Sequence, residues 1–253
     1  MAEAAVSSVH ERRADAASRL ELARGLLRGM EDRAASVRPV AAPEADGRVL
    51  PVAAPLARLL PAGGLRRGST VSVSGGPGST SLLLALLAEA SAGGAWAGVV
   101  GRPELGLVAA AEAGIRLDRL ALVPYPGADL LAVTSALLDG LDVVAVAGAE
   151  RAGVQAADRQ RLAARARQRG AVLLALGPWP GADVELSCTD VQWQGVGAGS
   201  GRLCSRRARV QLCGRGVAPG GRRSHLLLPS PGGAVGVSDE SGAVTYLPAR
   251  AAG

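Results

Sequence analysis

The sequence predicts an α/β fold with a mostly parallel sheet, on three observations. Between residues 50 and 180, short uninterrupted apolar stretches alternate with amphipathic ones, the pattern of strands buried on both faces and of the helices that bury them. Residues 71–87, VSVSGGPGSTSLLLALL, run from an apolar strand through a glycine-rich turn into an apolar helix. After Pro180 the pattern changes to polar–apolar alternation interrupted by glycine and proline, as in antiparallel strands.

Taken in order, residues 6–33 place Leu20, Leu22, Ala23, Leu26, Leu27 and Met30 at helical spacing among charges, which predicts an amphipathic helix. A polar stretch with Pro39, Pro43 and Gly47 follows, so residues 1–49 read as a helix and linker. The core, 50–180, begins with a helix-like LARLL (56–60), then a strand at 70–74 and a helix at 80–91. Strands at 95–100, 119–123, 142–147 and 171–176 alternate with helices near 104–113, 128–139 and 154–169. Residues 181–253 form a β-rich extension of 184–196, 201–216, 222–229 and 234–247, either added to the sheet edge or making a small layer of its own.

Apolar residues make up 48%, enough for a core built from Ala, Leu and Val, with no Phe and a single Ile, Ile115. All 28 basic residues are arginine, and Lys and Asn are absent. A GC-rich genome explains that general bias. A net charge of +6 suits an anionic partner, nucleic acid first. Cys188, Cys204 and Cys213 are odd in number and lack C-x-x-C spacing, so reduced thiols are expected. A charged N-terminus and no run of 18 apolar residues predict a cytoplasmic protein without membrane association.

The glycine turn has the layout of a phosphate-binding loop. Gly75, Gly76 and Gly78 allow a tight backbone nest, and Ser79, Thr80 and Ser81 offer hydroxyls at a helix N-terminus. A loop of the G-x-x-x-x-G-K-[ST] type also needs an ammonium to reach the β- and γ-phosphates, and this chain has none. Weak phosphate binding by backbone N–H groups and a purely structural capped turn both stay open. The strand expected to end in a metal-holding aspartate ends in Ala147, and Asp142 stands at its opposite end. Glu104, after strand 95–100, is a candidate base or a helix-dipole partner. With neither lysine nor aspartate, no catalytic residue, metal or required cofactor is expected, and ATP binding at most weakly.

Arg202, Arg206, Arg207, Arg209, Arg215, Arg222 and Arg223 crowd the extension, with alternation placing Arg207 and Arg209 on one face and Arg206 on the other. They are candidate contacts for DNA or a protein partner, or a charged edge that blocks strand pairing. Only Trp193 is near enough in sequence to stack on a base. Arg159, Arg161, Arg165, Arg167 and Arg169 read as an exposed helix face. His10 and His225 lie far apart and suggest neither a catalytic triad nor a metal set.

The stretch LARLLPAGGLRRGSTVSVSGGPGSTSLLLALLAEA, followed by EAGIRLDRLALVPYPG (112–127) and LDGLDVVAVAG (138–148), resembles RecA over about residues 50–180. The resemblance implies a P-loop NTPase fold whose phosphate and metal motifs are degenerate. Further, LPVAAPLARLLPAGGLRRGSTVSV, VVGRPELGLVAAAEAGIRLDRLALVP and GRLCSRRARVQLCGRGVAPGGRRSHLLLP resemble the actinobacterial ImuA-type proteins. That likeness implies a non-catalytic accessory role in damage-induced translesion synthesis and mutagenesis. The implied partners are a Y-family-like polymerase homologue and an error-prone replicative-type polymerase. Two other readings remain: a divergent DNA-dependent ATPase with an arginine in the lysine's place, and a regulator of a recombinase or of cell division.

Overall fold

The structure, a computed structural model, describes residues 47–197, 200–238 and 245–246; the predicted N-terminal helix and His10 lie outside them. The main sheet runs in the order β11-β10-β9-β8-β3-β7-β6-β4-β5, and β12 also pairs with β10. Its parallel part consists of β3 (Thr70–Val73), β4 (Ala97–Val100), β5 (Leu120–Val123), β6 (Val143–Ala147), β7 (Val172–Leu176) and the start of β8 (Val184–Gly197). The antiparallel part consists of β9 (Ser200–Gly214), β10 (Arg222–Leu227), β11 (Gly236–Val237) and β12 (Thr245–Tyr246). A separate ribbon joins β1 (Val49–Leu50) to β2 (Leu65–Arg66).

Alternation along each central strand builds two cores. Val143, Ala145, Val172 and Leu174 face one layer, while Val144, Val146, Leu173 and Ala175 face the other. The first layer is covered by α1 (Ala54–Ala57) and α2 (Ser79–Ala92), the second by α4 (Leu130–Gly140) and α5 (Ala156–Arg169). Helix α3 (Leu107–Glu112) sits beside the first layer and buries only Ala110. Helix α2 is apolar all round, and Leu82, Leu83, Leu84, Leu86 and Leu87 are all buried, because the sheet lies under it and other segments lie over it.

The predicted elements form, with local differences. LARLL makes one helical turn, Ala54–Ala57 with Pro55 in its first turn, before Pro61 and two glycines stop it, yet Leu56, Leu59 and Leu60 are buried. The helix predicted at 128–139 starts as a 3-10 turn, Gly127–Asp129. The extension joins the main sheet. β8 lies parallel to β3, with Val71 beside Val184 and Val73 beside Leu186, and Ala208, Val210, Leu212 and Leu226 complete the first core. At the C-terminal end of β4, Gly101 has φ +74, and a Cβ there would stand 2.5 Å from the Ala147 carbonyl oxygen.

Arginine–carboxylate pairs tie the layers together. Arg165 and Arg169 on α5 grip Asp139 on α4. Arg67 pairs with Asp142 at 2.7 Å, whose other oxygen accepts from the Trp96 backbone N–H at 2.8 Å. Asp183, 8% exposed, accepts from the Thr70 N–H and lies near Arg66 and Arg215.

The hydrogen bond from Arg165, opposed by partial burial, holds the Asp139 carboxyl below its usual range. Because its folded pKa is depressed, its stabilising contribution is present at neutral pH. It is lost as pH falls through that folded value. Asp139→Asn is therefore expected to flatten the acid limb of stability against pH, measured by urea unfolding. Leu186→Ala, at a fully buried side chain, is expected to cost about 2–5 kcal/mol. Leu203→Ala, at a side chain 51% exposed, should fall within about 0.5 kcal/mol of wild type in the same assay.

Candidate functional site

The glycine turn lies between β3 and α2, at the C-terminal ends of the parallel strands, where α/β folds bind ligands. Gly76 has φ +114 and Gly78 φ +95, conformations that favour glycine. Gly78 is the residue before the first turn of α2, and a Cβ there would stand 2.9 Å from the Cβ of Cys188 on β8. Gly75 and Gly76 instead face open space. The turn is thus closed by β8 on one side and open on the other.

Two arginines from distant segments reach the start of α2. Arg102, just after β4, donates from Nη2 to Thr80 Oγ1 at 2.6 Å, and its Nε lies 3.0 Å from Glu104 Oε1. Arg206, on β9, donates to Ser81 Oγ and to the Leu228 carbonyl oxygen. Its guanidinium also lies 5.1 Å from the centre of the Trp193 ring. Burial holds Arg206 below the ordinary guanidinium value. Of the hydroxyls read from the sequence as part of a phosphate-loop layout, those of Thr80 and Ser81 are therefore occupied by guanidiniums, while Ser79 is buried at the first helical position.

Ala147, 3% exposed, ends β6 where a metal-holding carboxylate was expected, and Asp142 at the other end is taken by Arg67 and Trp96. Glu104 is mostly exposed and its described partner is Arg102. Cys188 is a half-buried thiol whose pKa burial pushes up to about 11, against a smaller lowering by Arg206. At neutral pH it is protonated and serves as packing against Gly78.

The seven arginines of the extension do not form one stripe. Arg206 and Arg222 lie on the face toward α2, where Arg222 Nη1 donates to the Leu59 carbonyl oxygen. Arg207, Arg209 and Arg223 lie on the opposite face with His225. The sequence offered His225 no partner; in the sheet it stands directly across from Arg209, whose Nε donates to its Nε2 at 3.2 Å. Arg209 also pairs with Asp190 at 2.6 Å. Arg215 pairs with Asp183 in the following turn, and Arg202 is exposed near the ribbon tip. On α5, Arg159 lies over Trp179, Arg161 pairs with Asp158, and Arg167 is exposed.

A groove of about 820 Å³ opens beside Ser81, between α2, α3, the β8–β9 ribbon and the 228–235 turn. Trp193, Arg202 and Leu203 form its outer rim. Sequence reasoning missed the roles of Arg102 and Arg206 at the loop, because each is brought there by pairing of segments far apart in the chain. Among the described residues, no helix is long and apolar enough to cross a membrane.

Gly78→Val should destabilise the fold by more than about 1 kcal/mol, since it places a branched side chain at positive φ and against Cys188. Thermal unfolding checks this. Under native conditions, exposed Cys204 and Cys213 should react with a maleimide well before Cys188, as read by mass spectrometry of peptides.

Residues 58–181 match the family model described as MT3502 N-terminal domain. The chain is 38% identical over 155 residues to the Mycobacterium tuberculosis protein named uncharacterized protein Rv3395c, a match covering 61% of this chain. It spans 63% of that relative's length. The structure is also similar to the crystal structure of the RadB recombinase, with a TM-score of 0.51 and 14% identity over 70% of this chain and 93% of that one. The fold of this chain is therefore RecA-like, and residues 58–181 carry its match to the MT3502 N-terminal domain.

Proposed function

We propose that the protein is a non-catalytic, RecA-like adaptor in the DNA-damage response. In this reading it supports translesion synthesis and induced mutagenesis by binding a Y-family-like polymerase homologue and an error-prone replicative-type polymerase. The observation that carries the non-catalytic part is the state of the loop: Arg102 and Arg206 hold the Thr80 and Ser81 hydroxyls, the chain has no lysine, and β6 ends in Ala147. Phosphoryl transfer depends on positioned charge and metal, and removing a single such donor typically costs roughly 10²–10³ in rate. The resemblance to ImuA-type proteins supports the polymerase partners, and the predicted helix at 6–33 and the arginine-bearing strands are the contacts assigned to them.

One observation favours an ATPase instead. Two guanidiniums do reach the N-terminus of α2, so cations stand near the place a lysine would serve. Mg·ATP titration followed by calorimetry, with DNA-stimulated phosphate release, separates the two. The adaptor reading expects no turnover, and at most weak binding that Thr80→Val leaves unchanged. Saturable turnover abolished by Arg206→Ala would establish the ATPase. For the partners, affinity purification from DNA-damaged cells followed by nuclease treatment is expected to retain the Y-family-like homologue. Recovery of cell-division proteins or a recombinase in its place would overturn the polymerase assignment.

A further inference from the structure

A cavity of about 340 Å³ lies at the N-terminal ends of β3 and β8, the end of the sheet away from the glycine turn. Leu60, Pro61 and Leu65, from the segment that follows α1, line it together with Val71 of β3 and Val184 of β8. These walls are held from outside the cavity. Leu65 pairs with Leu50 of β1, and Gly64 packs against the Leu50 carbonyl with no room for a Cβ. Arg222 Nη1 donates to the Leu59 carbonyl oxygen at 3.1 Å.

The charged lining residues are Arg66, Asp183 and Arg215. Asp183 is fixed by its backbone and by one oxygen. Its N–H donates to the Thr70 carbonyl oxygen at 2.8 Å, its carbonyl oxygen accepts from the Arg215 N–H at 2.7 Å, and its Oδ2 accepts from the Thr70 N–H at 2.9 Å. The other oxygen, Oδ1, stands 3.3 Å from Arg215 Nη1 and 3.7 Å from Arg66 Nη2. Both distances exceed the roughly 2.7–2.9 Å of a charge-assisted hydrogen bond. Arg67–Asp142 and Arg209–Asp190, by contrast, close to 2.7 Å and 2.6 Å. One carboxylate therefore orients two guanidiniums without neutralising both, and these side chains are 59% exposed for Arg66 and 77% for Arg215.

We infer that this cavity binds a small amphiphilic carboxylate. Its aliphatic chain lies among Leu60, Leu65, Val71 and Val184, and its carboxylate meets Arg66 and Arg215 at the rim. Cavities that take small ligands combine apolar walls with a few placed polar groups. Planar guanidiniums match a carboxylate in shape and are weakly hydrated, so bringing one to them costs little. The walls and Asp183 are already fixed, which lowers the entropy lost on binding. The one hydroxyl in the lining, that of Ser69, donates to the Arg66 carbonyl oxygen at 2.6 Å, so the site serves binding and not bond-making. The inference is independent of the adaptor reading, and each can fail without the other.

The test is calorimetry and saturation-transfer NMR on the full chain with butyrate, hexanoate and octanoate. Octanoate is expected to saturate with a Kd of about 1 mM or tighter. Affinity should rise about three- to fourfold with each added methylene, as burial of the chain requires. Arg215→Gln, at an exposed side chain, and Arg66→Gln/Arg215→Gln should each weaken octanoate, the double variant about tenfold. Ala62→Trp, at an exposed lining position, should narrow the mouth and weaken hexanoate and octanoate alike. Arg161→Gln on α5 should change nothing. The inference is overturned if octanoate shows no saturation below about 10 mM. It is also overturned if acetate binds as well as octanoate, which would leave the apolar walls without a role. Equal binding of hexan-1-ol or hexylammonium and hexanoate would do the same for the arginines, as would an unchanged Arg66→Gln/Arg215→Gln. A peptide with a C-terminal leucine binding more than about tenfold tighter than octanoate would assign the cavity to a protein end and overturn the small ligand.

Discussion

The pairing of β8 with β3 is the constraint on which the rest of the molecule depends. β3 carries the glycine turn at its C-terminal end, and β8 lies parallel beside it through Val71–Val184 and Val73–Leu186. All four side chains are buried, each contributing roughly 1.5–3 kcal/mol. This short register fixes where everything after residue 186 goes. It sets Cys188 against Gly78, which leaves that position no room for a side chain, and it directs the β8–β9 ribbon past the start of α2. Because β9 pairs with β8 and Arg206 lies on the inner face, its guanidinium arrives at Ser81.

That arrival changes the chemistry of the turn. A lysine in a phosphate loop is a compact, strongly hydrated charge on a mobile stem; a guanidinium is planar, weakly hydrated and suited to hydroxyls, carbonyls and ring faces. Arg206 uses all three kinds of partner at once and is partly desolvated in doing so. Arg102 treats Thr80 in the same way from the other flank. The backbone around Gly75 and Gly76 remains open, but the hydroxyls of the next turn are held by the protein itself. The result is an α2 N-terminus braced by Arg102, just after β4, and by Arg206 on β9.

The same strands separate two kinds of surface. Their inner face completes the core beneath α2, and their outer face remains polar and basic. Period-two alternation produces this division without any special residue, since Arg206, Ala208 and Val210 must face opposite to Arg207, Arg209 and Gln211. Acidic residues tie arginines in both parts: Asp139 holds Arg165 and Arg169 in the helical half, while Asp190 and Asp183 reach Arg209 and Arg215 of the extension.

Much of this was legible in the sequence. Apolar runs such as VVAVA at Val143–Ala147 and VLLAL at Val172–Leu176 determine strands buried on both faces, and the glycine turn has the layout of a phosphate loop without an ammonium. Alternation also determined that Arg207 and Arg209 part company with Arg206. What only the tertiary structure decided was which distant groups meet: Arg102 with Thr80, Arg206 with Ser81, His225 with Arg209, and the joining of the extension to the main sheet rather than a separate layer. The reason is physical. Local periodicity is set by neighbours a few residues away, but Ser81 and Arg206 are 125 residues apart and meet only because sheet order and strand register bring them together.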